Sequence, residues 1–304
     1  MIFNLLTKKI MFTNFYTRFN ILSLILATLS TIAILFQGLN LGVDFKGGTL
    51  IEIRTSDKNV SISDLRRSFN KMNLGDVTVK QFGSENDFIV KFEKRNTNKS
   101  NFIEEIKNKL TNYIGNNYDF RRVENVGPKV SSELLKSGII AIGLSLAAML
   151  IYIWIRFEWQ FSLGAIIAIF HDVIITLGIF SLFGFEINLS IVAAVLTIVG
   201  YSMNDTVVIF DRVRENLKKY SDIKIFELTN ISINETLSRT LITSITTLLA
   251  LSSIYIFGGQ ILKGFSFAMI LGVIFGTYSS IYIANPILVL LNVSQKTVIK
   301  EDKE

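Results

Sequence analysis

The sequence predicts a polytopic α-helical membrane protein with six transmembrane helices and one small α+β domain inserted between the first and second helices. Half of the 304 residues are hydrophobic and 18% are charged. The apolar residues are gathered in long blocks, which is typical of polytopic membrane proteins. Between the first two blocks, residues 40–137 form the one long polar segment of the sequence, which is long enough for one small hydrophobic core.

Six stretches are each long enough to cross the ~30 Å hydrocarbon core, which takes about 20 helical residues. They are Phe19–Leu39, Gly138–Ile155, Phe161–Phe183, Ile187–Phe210, Leu241–Phe257 and Phe265–Leu291. The first stretch exceeds the apolar core of a signal peptide, and no clear small-residue cleavage site follows it, so an uncleaved anchor is favoured. The predicted domains are therefore residues 1–39, 40–137, 138–292 and a tail, 293–304.

The distribution of lysine and arginine predicts the orientation in the membrane. Among the short segments, basic residues collect in the N-terminal leader, the second turn, the segment after the fourth span and the tail, whereas the short loops on the opposite side contain only Lys263. Since cytoplasmic loops carry the excess of positive charge, both termini are predicted to be cytoplasmic and residues 40–137 to lie outside. The net charge of +6 thus reflects topology and does not indicate a nucleic-acid partner.

The polar segment has the pattern of a ferredoxin-like domain, with strands and helices in the order βαββαβ. The predicted elements are strand Thr49–Thr55, helix Ser61–Met72, strand Asp76–Phe82, strand Phe88–Phe92, helix Asn101–Ile114 and strand Asp119–Val126. Ser61 or Ser63 can cap the first of these helices. No pair of carboxylates and no nucleophile with a base stands out, so the domain is predicted to bind or to gate.

Two glycine-containing strings flank this domain. Asp44, Gly47 and Gly48 precede the first strand, and Gly127 and Pro128 follow the last. A phosphate-binding loop is disfavoured at the first string because no helix follows it and the Gly-Lys-Ser/Thr ending is missing. Both strings are interpreted as turns that need positive φ or a fixed bend, the second leading into an interfacial helix.

Asp205 lies inside the fourth span, where a charged carboxylate is costly and therefore indicates function. It is about six residues past the centre of the span, roughly 10 Å toward the cytoplasmic face at the ~1.5 Å helical rise. Arg239 opens the fifth span at the same face, so the two side chains are natural partners. The alternative is that Arg239 extends to lipid headgroups and marks the helix end. Residues 221–235, between the two spans, are an interfacial helix or a loop.

His171 and Asp172 lie near the middle of the third span. They either hydrogen-bond across a helix interface or form a titratable pair, because histidine changes charge near neutral pH. Gly272 and Gly276 have the spacing of a close helix contact. The chain has no cysteine and one histidine, which excludes disulfides, thiol catalysis and a histidine or cysteine metal cluster, and no metal or organic cofactor is expected.

Several strings together resemble the SecD/SecF family of bacterial protein export, within the resistance-nodulation-division superfamily. They are Gly42-Val43-Asp44-Phe45-Lys46-Gly47-Gly48, Val126-Gly127-Pro128-Lys129-Val130, His171-Asp172-Val173, Gly200-Tyr201-Ser202-Met203-Asn204-Asp205-Thr206, Phe210-Asp211-Arg212-Val213-Arg214-Glu215-Asn216 and Ser238-Arg239-Thr240-Leu241. The resemblance implies that Asp205 and Arg239 are proton-coupling residues, and extends this role more weakly to Asp172 and His171. Gly200 and Asn204 belong to the same motif.

The resemblance also implies partners and a location. A SecD subunit would supply a second six-span half, the SecY/SecE/SecG channel would lie beside it, and the external domain would contact preprotein in the periplasm of a bacterial inner membrane. Proton flow and the membrane potential would supply the energy for preprotein transport. Two alternatives are a half-size small-molecule exporter of the same superfamily and an intramembrane protease using Asp172 and Asp205. The second is disfavoured because its Gly-x-Gly-Asp signature is absent.

Overall fold

The computed structural model describes residues 10–56, 60–81, 84–93, 100–115, 117–220 and 223–298. The chain divides into two compact units, one of residues Leu41–Ile139 and one of Met1–Asn40 together with Ile140–Glu304. In chain order, the helices and strands are α1 Tyr16–Gln37, α2 Val43–Lys46, β1 Gly48–Thr55, α3 Ile62–Asn70, β2 Val77–Gln81, β3 Asp87–Phe92, α4 Ser100–Ile114, β4 Tyr118–Val126, α5 Pro128–Arg156, α6 Trp159–Leu182, α7 Leu189–Lys219, α8 Ile225–Phe257, α9 Gly259–Ser279, a π-helical turn Ser280–Ala284, α10 Asn285–Leu290 and α11 Gln295–Val298.

Six helical segments of the described chain are long and apolar enough to cross a membrane. The six predicted spans are therefore present, and this agrees with a polytopic membrane protein. They are Phe12–Gln37, Lys129–Arg156, Trp159–Leu182, Leu189–Lys219, Ile225–Phe257 and Leu262–Leu290.

Two helices extend well beyond their predicted apolar cores. The fifth segment begins at Ile225, so the described part of residues 221–235 is neither a loop nor a separate interfacial helix. Thr229, Ile233 and Leu237 recur every four residues and are buried, which is why the helix continues through this polar stretch. Likewise α5 runs without a break from Pro128 to Arg156. The helix predicted after the last strand is present and is continuous with the second span, and its interfacial position stays a prediction.

Small residues bring α7 and α9 close together, as the glycine spacing predicted. A Cβ atom added to Gly272 would lie 2.3 Å from Ile198 Cγ1, and one added to Gly276 would lie 3.0 Å from Ser202 Cβ. At such distances a side chain on either glycine would force the helices apart. The α7–α9 contact is therefore fixed in the interior of this unit, where the polar side chains described below lie.

The other unit contains a four-stranded sheet with strand order β2-β3-β1-β4. All neighbouring strands are antiparallel. The predicted order of strands and helices is present, with boundaries shifted by one or two residues; Phe82, predicted to end the second strand, lies outside the described residues. Ser61 caps α3 in a reciprocal capping box with Asp64, as predicted.

The core of this unit lies between one face of the sheet and the helices α3 and α4. Buried apolar side chains alternate along the strands, because successive residues point to opposite faces. The fully buried members include Ile51, Leu65, Phe69, Val90 and Leu110. A small hydrophobic core of this kind is what the length of the polar segment predicted.

The glycine pair before β1 adopts the positive φ angles that the sequence predicted. Gly47 has φ 74° and Gly48 has φ 121°. A Cβ atom added to Gly48 would also lie 2.8 Å from the carbonyl oxygen of Phe92, so glycine is required both by conformation and by space. The residues before the pair form the short helix α2, which the sequence pattern did not predict.

The other face of the sheet carries charged pairs. The guanidinium of Arg54 donates two hydrogen bonds to Asp87, at 2.6 and 2.8 Å, and this pairing holds the pKa of the Asp87 carboxyl below its usual value. Burial raises the pKa of Glu52, whose carboxylate pairs with Arg122 at 3.5 Å. The two carboxyls are thus perturbed in opposite directions.

Candidate functional site

Asp172 lies in the interior of the membrane unit, where α6, α7 and α9 meet. Its side chain is completely buried. The hydroxyl groups of Ser202 on α7 and Ser279 on α9 donate hydrogen bonds to Asp172 Oδ2, at 2.6 and 2.7 Å. The remaining oxygen, Oδ1, is 2.9 Å from Nδ1 of His171. Three helices therefore satisfy one buried carboxyl group, as a polar group in hydrocarbon requires.

His171 has one ring nitrogen paired and one unpaired. When Asp172 is ionised, Nδ1 of His171 must carry a hydrogen, and this N–H donates a hydrogen bond to the carboxylate. The Nε2 atom is buried and has no hydrogen-bond partner among the described residues. The ring is stacked on that of Tyr278, with 6.0 Å between the centroids. Tyr278 in turn donates to the carbonyl oxygen of Phe19 at 2.7 Å. Because Nε2 is left with an open acceptor position, a second proton can be added there.

Asp205 is also buried, with 3% of its surface exposed, but its contacts are looser. Thr277 Oγ1 on α9 is 3.5 Å from Asp205 Oδ2, a long hydrogen bond. Ser244 on α8 also contacts the carboxyl group, and its hydroxyl lies 2.7 Å from that of Thr277. The neighbours of Asp205 are therefore hydroxyl groups from two other helices.

Arg239 lies on α8 and is exposed in the isolated chain. Its guanidinium is near enough to act electrostatically on Asp205, but within the described residues no hydrogen bond or salt bridge joins the two side chains. The direct pairing expected from the sequence therefore stays a prediction.

The two buried carboxyl groups are linked through α7 and α9: α7 carries Asp205 and the Ser202 partner of Asp172, and α9 contributes a hydroxyl group to each carboxyl group. Ser202 and Asp205 are one turn apart on α7, so they lie on the same face of that helix. On α9, Thr277 contacts Asp205 and Ser279 contacts Asp172. Four hydroxyl residues thus complete the site, and sequence analysis did not single out their roles. They are Ser202, Ser244, Thr277 and Ser279. The signal that could have identified them in the sequence is their position as polar residues inside apolar spans.

A π-helical turn follows directly after Ser279. The amide of Asn285 donates to the carbonyl oxygen of Ser280 at 2.6 Å, and the hydroxyl of Ser280 lies 2.8 Å from that of Thr206. Pro286 has no N–H to continue the regular ladder, which gives a reason for the irregular turn. Such turns frequently occur at functional sites.

The remaining motif residues lie on another face of α7 or in other elements of the chain. Asn204 and Gly200 are on an exposed face of α7, and a Cβ atom added to Gly200 would meet nothing within 4 Å. Asp44 lies in α2, Gly127 precedes α5 and Pro128 begins it. The described part of the chain brings no three His, Asp or Glu side chains together to hold a metal.

Asp172 and Asp205 do not form a shared dyad in this structure. They have different hydrogen-bond partners, and the described contacts include no hydrogen bond between their carboxyl groups. A protease dyad needs both carboxyl groups to contact one water and share a proton. The arrangement therefore gives no support to the protease alternative.

In the described part of the chain, six membrane-length helices enclose ionisable side chains, which defines the class of multi-pass membrane proteins. Within this class, buried ionisable side chains are candidates for ion or substrate pathways. Residues 105–294 match the family of protein export membrane proteins SecD/SecF in its C-terminal region, and residues 32–58 match the SecD/SecF GG motif. The chain belongs to the SecD/SecF family, whose members act in protein transport.

Relatives and solved structures agree with this assignment. The chain is 46% identical over 280 residues to the protein translocase subunit SecF of Rickettsia bellii, with 92% of each chain covered. It is 42% identical over 289 residues to that of Cereibacter sphaeroides, covering 92% of this chain and 89% of the relative.

The structure is similar to a crystal structure of SecDF, a translocon-associated membrane protein from Thermus thermophilus, with a TM-score of 0.84 and 34% identity. A super-membrane-facing form of SecDF gives a TM-score of 0.69 at 33% identity. The first match covers 94% of this chain but 39% of the SecDF chain. This chain therefore spans about two fifths of the SecDF polypeptide.

Proposed function

We propose that the chain is an accessory subunit of the Sec translocase that uses the proton motive force, together with a SecD subunit, to promote preprotein movement across or into the bacterial inner membrane. Asp205 carries the proton, and Arg239 responds to its charge. The observation that carries this proposal is the burial of Asp205 among hydroxyl groups in a membrane helix.

Hydroxyl neighbours suit a group that must change its protonation state. A charged residue at the centre of a membrane helix costs about 2.5–3.5 kcal/mol on insertion scales. A serine or threonine hydroxyl can donate to a carboxylate and can accept from a carboxylic acid. Thr277 and Ser244 therefore solvate both forms of Asp205, whereas a permanently bound cation would hold it ionised.

The energy available from the membrane matches the size of a conformational step. One proton crossing the full potential gains about 2.3 kcal/mol per 100 mV, and equilibria between two conformations differ by a few kcal/mol. Protonation of Asp205 would weaken its attraction to Arg239, and deprotonation would restore it. Movement of α7 relative to α8 would thereby be coupled to proton binding and release.

Asp172 and His171 form a second proton-binding group in this proposal. The open Nε2 position of His171 can accept a proton, and the adjacent carboxylate would stabilise the resulting imidazolium. Ser202 lies on the same face of α7 as Asp205, so a change at either carboxyl group acts on the same helix. This supports a coupled role for the two sites.

The topology supports the placement of the partners. The distribution of basic residues favours cytoplasmic termini and a periplasmic, ferredoxin-like domain at residues 40–137. This domain would contact emerging preprotein beside the SecY/SecE/SecG channel. A pseudo-symmetric transporter needs two six-span halves, and the chain matches about two fifths of a fused SecDF chain; a SecD subunit would supply the other half.

The test is to replace Asp205 by Asn and to measure export of a preprotein into membrane vesicles with and without a proton gradient. D205N cannot ionise, so it should abolish the stimulation by the gradient while the subunit still assembles. D172N is expected to lower the same stimulation. Glu215→Gln is the matched control, because Glu215 is exposed on the same helix and should leave the stimulation unchanged. Full stimulation in the D205N variant would refute the proposal.

A further inference from the structure

The end of α1 is tied to the turn between α6 and α7 by hydrogen bonds that the proton-coupling proposal does not use. The side-chain amide of Asn40 donates to the carbonyl oxygen of Gly184 at 2.9 Å. The backbone N–H of Ile187 donates to the carbonyl oxygen of Asn40 at 2.8 Å. Asn40 therefore holds the turn with both its side chain and its backbone.

Ser181, in the last turn of α6, makes the reciprocal contacts with α1. Its hydroxyl oxygen lies 2.7 Å from the carbonyl oxygen of Gly38 and 3.0 Å from that of Ala33. Gly38 directly follows α1, and carbonyl groups at the end of a helix need partners from outside it. The side chain of Ser181 is 1% exposed, so water has little access to replace these contacts.

Close packing holds the same two helices together one turn earlier. Gly178 on α6 lies against Ser30 on α1, and a Cβ atom added to Gly178 would lie 2.6 Å from Ser30 Cα. A larger residue at either position would separate the backbones. The last turns of α1 and α6 are therefore joined by packing as well as by hydrogen bonds.

This joint lies between the buried carboxyl groups and the unit that contains the sheet. The turn connects α6, which carries Asp172, with α7, which carries Asp205. Asn40 is the last residue of the membrane unit before the unit Leu41–Ile139 begins. The two helices with buried carboxyl groups are thus fixed to the point where the chain leaves the membrane unit.

The beginning of α1 contacts the surroundings of Asp172 as well. The hydroxyl of Tyr278 donates to the carbonyl oxygen of Phe19 and lies 2.7 Å from the hydroxyl of Ser23. The ring of Tyr278 is the one stacked on His171, which pairs with Asp172. Hydrogen bonds therefore connect α1 with the neighbours of the buried site near its beginning and with the α6–α7 turn at its end.

From this geometry we propose that Asn40 and Ser181 form a clamp, the α1 clamp, that makes the end of α1 move together with the α6–α7 turn. Coupling between distant sites is carried by packed side chains, hydrogen bonds and rigid elements. A displacement of α6 or α7 is passed on to residue 40 and from there along the chain into the unit that contains the sheet. This transmission rests on the proposed function, in which protonation moves these helices.

Spin labels test the α1 clamp directly. The chain has no cysteine, so two cysteines can be introduced as the sole attachment points. Phe36 on α1 and Leu182 on α6 are suitable positions, because they are 89% and 60% exposed. Electron paramagnetic resonance of the full chain in lipid vesicles gives the distribution of distances between the labels. Combining Asn40→Ala with Ser181→Ala should broaden it, and an unchanged distribution would overturn the clamp.

Thr31→Ala is the matched control for this measurement. Thr31 is exposed on α1, and its hydroxyl donates to Ala27 of the same helix, so its loss should leave the distances unchanged. Should the double variant not fold, Asn40→Ala alone removes the amide contact and keeps Ser181. A smaller broadening is then expected, and an unchanged distribution in this folded variant would again contradict the clamp.

Transmission has a separate readout in preprotein export by the full chain with its SecD subunit. The double variant of Asn40 and Ser181 should lose the stimulation by a proton gradient and still copurify SecD. Full stimulation despite broadened distances would overturn the transmission, and so would loss of SecD together with the stimulation, since this indicates a role in assembly. The distance measurement needs no gradient, so it decides the clamp even if D205N refutes the proposed function.

Discussion

Asp172 and Asp205 are both buried carboxyl groups, yet their oxygens are satisfied to different degrees. Asp172 has hydrogen-bond distances of 2.6, 2.7 and 2.9 Å to three partners, whereas the contact of Asp205 with Thr277 is 3.5 Å long. Breaking three short hydrogen bonds to a buried charge costs more than breaking one long one. In the proposed proton-coupled cycle, Asp205 would therefore change partners, whereas Asp172 would move with its surroundings.

Asp87 provides a prediction on pH. Its pKa is lowered first of all by the hydrogen bonds from Arg54, so the folded state binds a proton less tightly than the unfolded chain. The pair therefore stabilises the sheet above the unfolded pKa of about 3.9, and this stabilisation is lost as the pH falls through the folded pKa. Asp87→Asn should cost about 1 kcal/mol at neutral pH and should weaken the acid sensitivity.

Hydrogen exchange of β1 and β3 in the full chain, measured from neutral to acidic pH, tests this expectation. Asp76→Asn is the control, because Asp76 is an exposed aspartate of the same unit. Faster exchange at neutral pH is expected for D87N alone. If D87N and D76N behaved alike, the Arg54 pair would not stabilise the sheet.

At the scale of the elements, the functional site depends on how closely α7 and α9 pack. Ser202 reaches Asp172 from α7, and Ser279 reaches it from α9. Gly272 and Gly276 let the two backbones approach. Ser280, the next residue, faces Thr206 rather than Asp172, because successive helical residues point in different directions. Close packing and helix rotation together set which hydroxyl serves which carboxyl group.

Gly272→Ala should therefore destabilise the membrane unit. The added methyl group would lie 2.3 Å from Ile198 Cγ1, and overpacking of this kind costs about 1–3 kcal/mol. The measurement is the thermal unfolding temperature of the purified chain in detergent. Gly143→Ala on α5 is the matched control, because a Cβ atom there meets nothing within 4 Å. Combining Gly272→Ala with Ile198→Ala should recover part of the loss, and strict additivity would show that the two positions do not touch.

At the scale of the whole molecule, α7 has two different faces. One face is buried and carries Asp205, while Gly200 and Asn204 lie on the other, which this chain leaves exposed. A glycine and an asparagine facing outward in a membrane helix are typical of a helix–helix contact. Under the proposed assembly this face of α7 meets the SecD subunit.

Gly200→Leu should weaken the association with SecD and leave the isolated chain equally stable, because a side chain at Gly200 meets nothing within 4 Å in this chain. The two measurements are copurification of SecD from membranes, expected to fall at least about tenfold if overpacking costs more than 1.4 kcal/mol, and thermal unfolding of the chain alone. Gly143→Leu, at an equally open glycine on α5, is the control. An intact complex with G200L would place the contact elsewhere.

Much of this architecture was predictable from the sequence alone. Membrane spans follow from length and hydropathy, because the bilayer excludes unsatisfied backbone and unpaired charge. The order of strands and helices between residues 48 and 126, the capping of α3 by Ser61 and the positive φ of Gly47 and Gly48 follow from local rules. Asp205, Asp172 and His171 were singled out by the cost of burying them.

Only the tertiary structure determines which side chains surround Asp205, Asp172 and His171. Ser202, Thr277 and Ser279 are ordinary polar residues in apolar helices, and nothing local tells which carboxyl group each one reaches. The same holds for Arg214, whose contacts with Glu158 and with the carbonyl oxygen of Arg156 depend on the turn between α5 and α6. The physical reason is one of range: hydropathy, capping and backbone angle act within one element, whereas a hydrogen bond between helices depends on their relative depth and rotation, which packing fixes.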